Sequence, residues 1–380
     1  MITARNALNM TYVHELPGWP DFKWDGEALA GALAAVRYKQ GKHLGRMEAL
    51  GFDIRTEASV IALTEEVVTT SAIEGQNLNP NEVRSSIARR LGLDGAGLPE
   101  PSREVEGVVE MMLDATRRYD TPLTADRLFG WDAALFPTGR SGMRRITVGA
   151  WRTEEAGPMQ VISGPVGKER VHFEAPQADR LDSEMESFLQ WFNMRMALDP
   201  VLKAGIAHFW FVTIHPFEDG NGRIARAIAE MALSQADRSK QRFYSMSSAI
   251  EAERNKYYLQ LESAQRGSLD ITAWLAWFLD CLDRTINGAD TVLSSVLNKA
   301  QVWQRINQTP VNQRQRRVIS RMLDDFKGHL TTSKYAKLAE CSNDTALRDI
   351  QALLERGIIE KNPGGGRSTS YRLAEDDALE

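Results

Sequence analysis

The sequence predicts a mainly α protein with one small β-hairpin near its middle and a separate module at its C-terminus. Three observations predict it. Long stretches space their apolar residues for one helical face, as Val60, Ile61, Val67 and Val68 do. Strand-like alternation with Gly-Pro turns is confined to residues 144–174. From Pro310 the composition turns basic: residues 310–372 hold 12 Lys and Arg against 7 Asp and Glu, although the whole chain carries −5.

The helices read in order. Residues 27–50 are rich in Ala, Leu, Arg and Lys, and 56–74 continue in the same way. Gly75 is placed to cap that second helix, and Asn77 to Pro80 mark the stop. A helix over 80–92 starts at Asn79-Pro80, residues 93–101 form a loop, and 102–119 are helical. The hairpin lies in RRITVGAWR and QVISGPVGKERVHFEAP. Residues 179–214, 222–237, 246–265 and 270–288 read as helices, and 289–307 as a bridging helix.

Composition excludes several classes. Apolar residues make up 43% and charged residues 26%, which rules out a mainly disordered chain or a coiled-coil rod. The acidic balance rules out a polycation that coats nucleic acid or membrane, so any such contact must come from a local patch. Two cysteines, Cys281 and Cys341, build neither a disulfide framework nor a metal cluster. The N-terminus lacks an apolar signal core, and no run of about 18 apolar residues occurs. The expectation is a soluble cytoplasmic protein with no membrane partner.

Chemistry concentrates in His215-Pro216-Phe217-Glu218-Asp219-Gly220-Asn221-Gly222-Arg223-Ile224-Ala225-Arg226. Proline pushes the preceding residue out of helical geometry, so His215 stands at a helix exit. Gly220 and Gly222 permit positive φ and leave backbone N–H groups uncovered. A new helix starts near Gly222, and its free N–H groups and dipole make an anion site suited to phosphate. Arg223 and Arg226, three apart on the first turn, reach the same anion. Asp219 offers a hard oxygen ligand for Mg2+ beside the phosphates, and His215 is within reach as a general base. Together these are the parts of a transfer from a nucleotide.

Other readings of this loop fail in detail. An EF-hand counted from Asp219 has Ile224 where its sixth position needs Gly. Residues 164–169 do not form a Walker A loop. His208 and His215 lack the further His or Cys of a zinc site, so they read as a core histidine and a loop histidine. A turn without function leaves the paired arginines unexplained.

The loop resembles the signature of the Fic family, H-x-F-x-[DE]-[GA]-N-[GK]-R-x-x-R, with every fixed position matched. The resemblance implies a Fic-type helical bundle with a small β-hairpin flap, and protein adenylyltransferase (AMPylation) activity. AMP would move from ATP, with Mg2+, to a Ser, Thr or Tyr hydroxyl of a target protein or of the chain itself. It implies His215 as the base, Asp219 as the metal ligand, and Gly220, Asn221 and Gly222 as the anion hole. Ile224 and Ala225 continue that nucleotide-binding turn. Arg223 and Arg226 would hold the triphosphate, and Phe217 would be a buried anchor. Phosphocholine, UMP and phosphate transfer by relatives remain open as other donors.

Thr70-Ser71-Ala72-Ile73-Glu74-Gly75 has the form [ST]-x-x-x-E-[GN]. A carboxylate in the last helical turn opposes the macrodipole and favours a cationic partner. The resemblance supplies Arg226 as that partner. This implies autoinhibition by Glu74, with Thr70 fixing the helix and Glu74 lining the nucleotide site. A second reading has Glu74 orient a water for removal of AMP. The stretch from Met159, with Val161, Ile162, Ser163 and Gly164, resembles the flap, whose exposed edge would hold an extended target segment. Tyr257, Tyr258 and Gln265 fall where the family places adenine and ribose contacts.

In the C-terminal module, residues 311–325, 331–340 and 343–356 read as helices, with Ser342 as an N-cap and Gly357 as a stop. Strands at 358–361 and 370–373 follow. This order resembles a winged helix-turn-helix. Two uses stay open: DNA binding through Asn343, Thr345, Arg348 and Arg367, or homodimer and protein docking. The expected domains are an N-terminal helical domain over 1–95, a core over 96–290, a linker helix over 291–307 and the winged helix over 308–380. The alternative to an enzyme is a DNA-binding regulator with a nucleotide-sensing core.

Overall fold

The computed structural model describes residues 11–93, 98–163, 170–195, 197–308, 311–323, 326, 328–363 and 369–374. The chain divides into two compact units, Met1–Val292 and Leu293–Glu380, with the boundary inside one helix.

In the first unit, α1 (Gly26–Glu48) starts at Asp25, whose side chain accepts the N–H groups of Glu27 and Ala28. Helix α2 (Phe52–Ile73) ends at Gly75, where the Gly75 and Gln76 N–H groups donate back to Ala72 and Ser71. Asn79 and Pro80 open α3 (Pro80–Leu91) as cap and first residue. Helices α4 (Arg103–Arg117) and α5 (Ala125–Leu135) pack together, and both pack on α8 (Asn221–Asp237). The centre of the unit is α7 (Pro200–Ile214), buried at every position but Pro200 and Lys203 and packed along α8.

Four expectations change. The run over 179–214 is two helices, α6 (Leu181–Asn193) and α7, because Asp199 caps and Pro200 starts a second one. Residues 246–265 divide at Glu253 into α9 (Met246–Ala252) and α10 (Arg254–Gln265). The expected pair over 270–307 is one helix, α11 (Thr272–Gln308), since nothing crowds Gly288 and its helical backbone continues. The stretch from Arg144 to Arg152 is mostly not strand. Only β1 (Arg140–Ser141) and β2 (Arg144–Arg145) pair there. Ile146, Val148 and Trp151 all turn into the core, which an alternating strand cannot do. The hairpin proper is β3 (Gln160–Ser163) with β4 (Arg170–Glu174), antiparallel, with a register shift between Val161 and Ile162.

The second unit holds α12 (Gln313–Leu323), α13 (Thr332–Ala339) and α14 (Asn343–Glu355), then β5 (Ile359–Lys361) paired antiparallel with β6 (Tyr371–Leu373). Its own core gathers Val318, Ile319, Tyr335, Ile350, Leu353 and Tyr371. Leu330 bridges to Tyr371 and ties the helices to the hairpin.

Candidate active site

The site is built where α7 ends and α8 begins. His215 caps α7 in the left-handed region at φ 53°. Its N–H still donates to Phe211, and its ring Nδ1 lies 3.2 Å from the Val212 carbonyl. That carbonyl accepts only from a protonated Nδ1, so Nε2 keeps a lone pair for the cavity. Part of the ring stays open to that cavity, but the packing around it is dense. Burial pulls the His215 pKa down to about 4, against the Val212 hydrogen bond, which raises it. The imidazole is neutral near pH 7 and can accept a proton.

The loop after His215 is tied on both sides. Phe217 is fully buried, ringed by Phe129, Trp151 and Phe211. Asn221 is buried and spans the loop: its Oδ1 accepts the Phe217 N–H at 3.0 Å, and its Nδ2 donates to the Phe217 carbonyl at 2.8 Å. Glu218 accepts from Arg144 at 2.9 Å and from the Thr147 N–H at 3.0 Å. Gly220 sits at φ 80°, and a Cβ there would stand 2.9 Å from the Phe136 ring, so no other residue fits without strain. Arg152, which the sequence did not single out, is almost wholly buried beneath the turn. Its Nε donates to the His215 carbonyl and its backbone N–H to the Pro216 carbonyl, both at 2.9 Å.

Asp219 accepts the Gly220 N–H at 2.6 Å and the Ser141 hydroxyl from β1. Among the described residues there is no group of three or more His, Cys, Asp or Glu that could hold a metal. A single carboxylate beside an anion site fits Mg2+, which takes one or two carboxylates and completes its shell with phosphate and water oxygens.

The two arginines of α8 are both engaged from α2 and the turn after it. Arg226 is buried; it donates through Nε to Thr70 Oγ1 at 2.7 Å and through Nη2 to the Thr70 carbonyl at 2.9 Å and Glu74 Oε1 at 2.7 Å. Arg223 donates to Gln76 at 3.1 Å and lies over the Phe136 ring. A Cβ on Gly222 would lie 2.2 Å from Glu74 Oε1. The Glu74 carboxylate therefore rests on the first turn of α8, where an anion would bind.

A cavity of about 650 Å³ opens beside this turn, lined by His215, Gly222, Glu74, Val161, Ile162, Ser163, Tyr257, Tyr258 and Gln265. These sequence-selected residues are thus brought together. Ile224 and Ala225 are not, since their side chains are in the core and the Ile224 N–H donates to Gly220. Tyr257 offers the cavity little surface: its ring packs on Trp274 and Trp277, and its hydroxyl meets His208 at 2.9 Å. His208 is a core histidine whose pKa burial lowers to about 3. Tyr258 is part exposed, with its hydroxyl 3.3 Å from the Ile73 carbonyl. Gln265 donates to Thr213 at 3.3 Å. His172 and Glu262 also line the cavity and were not selected; their sequence positions carry no pattern that marks them. Gly164 and Arg367 lie outside the described residues.

On α14, Asn343 and Arg348 are exposed, while Thr345 takes part in the cap, its N–H donating to Ser342 at 3.2 Å. Among the described residues, no helix is long and apolar enough to cross a membrane.

Residues 122–233 match the model of the Fic/DOC family, and residues 12–93 match a domain of unknown function, DUF4172. Similar curated proteins include the protein adenylyltransferase Fic of Aedes aegypti, 28% identical, and that of Drosophila yakuba, 35% identical, each over 228 residues. Each alignment covers 60% of this chain but 41% of the relative, so the chain spans about two fifths of the length of these relatives. Among solved structures, a Fic family protein from Desulfovibrio desulfuricans G20 is 20% identical over 93% of this chain and 97% of its own, at a TM-score of 0.51. A Fic domain containing signaling protein from Bacteroides thetaiotaomicron is 18% identical over 68% and 97%, also at 0.51. The chain carries a Fic/DOC domain on a shared, mainly helical fold.

Proposed function

We propose that this Fic/DOC domain is a protein adenylyltransferase that Glu74 holds in check. The observation that carries the reading is His215, its Nδ1 turned to the Val212 carbonyl, in one cavity with the first turn of α8. In the proposed step, a target hydroxyl loses its proton to His215 Nε2. Its oxygen forms a bond to the α-phosphorus of ATP, the bond to the bridging oxygen breaks, and pyrophosphate leaves. The N–H groups at the start of α8 receive charge that develops on the phosphate, and Arg226 and Arg223 take the outer phosphates. Asp219 and the Ser141 hydroxyl would hold Mg2+, which supplies charge neutralisation at the phosphates when bound. Arg152 holds the two carbonyls beside His215, so the ring keeps its direction.

Inhibition follows from competition between two anions. Glu74 takes one nitrogen of Arg226 and the ground beside Gly222, both of which a γ-phosphate needs. The carboxylate gains from the α8 dipole, while its own helix end disfavours it. Thr70 holds Arg226 in the blocked geometry. The reading extends to self-modification, since a hydroxyl of the same or another copy is an acceptor of the same chemistry.

Intact-protein mass spectrometry after incubation with Mg2+-ATP tests this on wild type, Glu74→Gly and Glu74→Gly/His215→Ala. Glu74→Gly is expected to gain one or more AMP masses, and the double variant none. Equal labelling of wild type and Glu74→Gly would remove the inhibitory role. Labelling of the double variant would remove the base.

A further inference from the structure

A second, smaller cavity, of about 110 Å³, opens between the N-terminal half of α2, the end of α3, α4 and the chain that joins α8 to α9. Its lining has two halves. Leu63, Leu91, Leu93 and Leu113 form the apolar one. Thr56 of α2, Arg117 of α4, and Lys240 and Arg242 of the joining chain belong to the polar one. Among the described residues, no Asp or Glu lines it. The transfer step uses none of these groups.

Two buried donors in the polar half lack a partner among the described residues. Arg242 is 3% exposed; its Nε donates to Glu230 at 2.7 Å, and its Nη1 to Asp237 and, at 3.1 Å, to the Tyr244 hydroxyl. Its Nη2 is unpartnered, and so is the Thr56 hydroxyl. A buried donor without an acceptor is costly, and an oxygen ligand relieves that cost. Glu230 and Asp237 already face the Arg242 charge, so the attraction an anion meets comes from Arg117 and Lys240. Both are exposed, and among the described residues neither makes an ion pair. Two donors match the two oxygens of a carboxylate, and the leucines match a short apolar chain. The volume is below the roughly 150 Å³ that takes benzene, so the occupant has about five non-hydrogen atoms. Phosphate has that many, but no apolar side to set against the leucines.

We propose that this cavity binds a short-chain carboxylate, with its oxygens on Arg242 Nη2 and Thr56 Oγ1 and its chain on the leucines. The bound anion fastens α2 to α4 and to the chain that leaves α8. Thr70 stands about four turns beyond Thr56 on α2, and Glu74 follows the end of that helix. A ligand that holds α2 in place therefore adds to the hold of Glu74 on Arg226. This last consequence rests on the adenylyltransferase reading; the binding and the fastening of α2 do not.

Propionate, propionamide and inorganic phosphate are the probes, titrated into the full chain and followed by ligand-observed NMR. Propionate is expected to bind with a Kd of about 1 mM, within reach of five non-hydrogen atoms. Propionamide has the same shape without the charge and should bind about tenfold more weakly, and phosphate should also bind more weakly than propionate. Arg117→Gln with Lys240→Gln, both at exposed positions, should cost propionate about tenfold. Thr56→Val keeps the shape and should cost about threefold or more. At about ten times the Kd, propionate should slow amide hydrogen exchange along α2 by up to about tenfold. Equal affinity for propionate and propionamide, tighter binding of phosphate, or an affinity unchanged in both variants would overturn the site. Binding without slower exchange in α2 would overturn the fastening. Each of these results leaves the transferase reading standing, since mass labelling by ATP tests that separately.

Discussion

At the His215 end of the cavity, Asn221, Arg226 and Arg152 are nearly fully buried and each makes two or three hydrogen bonds. At the β3 end, Gln160, Val161, Ile162 and Ser163 are all exposed, and among the described residues the strand pairs on one side only. The first region is over-determined. Its geometry is shared with the core, so a change there is paid in folding stability as well as chemistry. The second stands on a hairpin of exposed side chains, so a change there alters what is bound more than whether the chain folds. Groups that handle charge and protons need fixed positions, whereas a wall that meets a planar ring or a target strand can be built from exposed side chains.

The sharpest break of this contrast is Phe217→Ala. The ring is fully buried among Phe129, Trp151 and Phe211, and its removal should cost about 3–5 kcal/mol in denaturant unfolding. A loss below about 1 kcal/mol, at the low end of core truncations, would mean that the Asn221 bonds alone hold the loop.

A smaller effect tests the electrostatics of the same end. His215 should titrate near pH 4, read by NMR from its ring protons, with the acid limb of kcat/KM in the same place. The sign for stability follows. The folded pKa lies below that of an unfolded histidine, about 6.5. Between those values the unfolded chain binds a proton that the folded chain does not. This contribution is complete above about pH 6.5, falls as pH drops, and is gone below about pH 4. A midpoint at an ordinary histidine value would show that water reaches the ring freely.

The smallest expected effect belongs to the other end. Ile162→Ser, at a side chain 54% exposed, should change unfolding free energy by no more than about 0.5 kcal/mol while raising KM for nucleotide or target. A large loss of stability there would erase the distinction between the two regions.

Much of the helical framework was legible because its signals are local. Asn79-Pro80, Gly75, Ser342 and Gly357 mark helix ends in the structure through the hydrogen bonds or positive φ that the residue types permit. Asp199-Pro200 carried the same kind of signal, and the long apolar run around it obscured the break. The division at Glu253 has no Gly or Pro beside it. No element was expected over residues 120–143, yet they hold α5 and the strand whose Ser141 bonds to Asp219.

The sequence by itself determined the local geometry of the loop from His215 to Arg226. There the order of Pro, Gly and Asn sets backbone geometry within a few residues, and an anion site at a helix start is a local property. It also supplied Glu74 as a carboxylate in need of a cation. Only the tertiary structure decided that Glu74 reaches Arg226 across 152 positions, that Arg152 lies under His215, and that Ser163, His172 and Glu262 form one hydrogen-bonded chain. Those contacts depend on which faces of α2, α8, α10 and the hairpin are packed together. Packing is settled by the shape and burial of the whole core, and no short window of residues carries it.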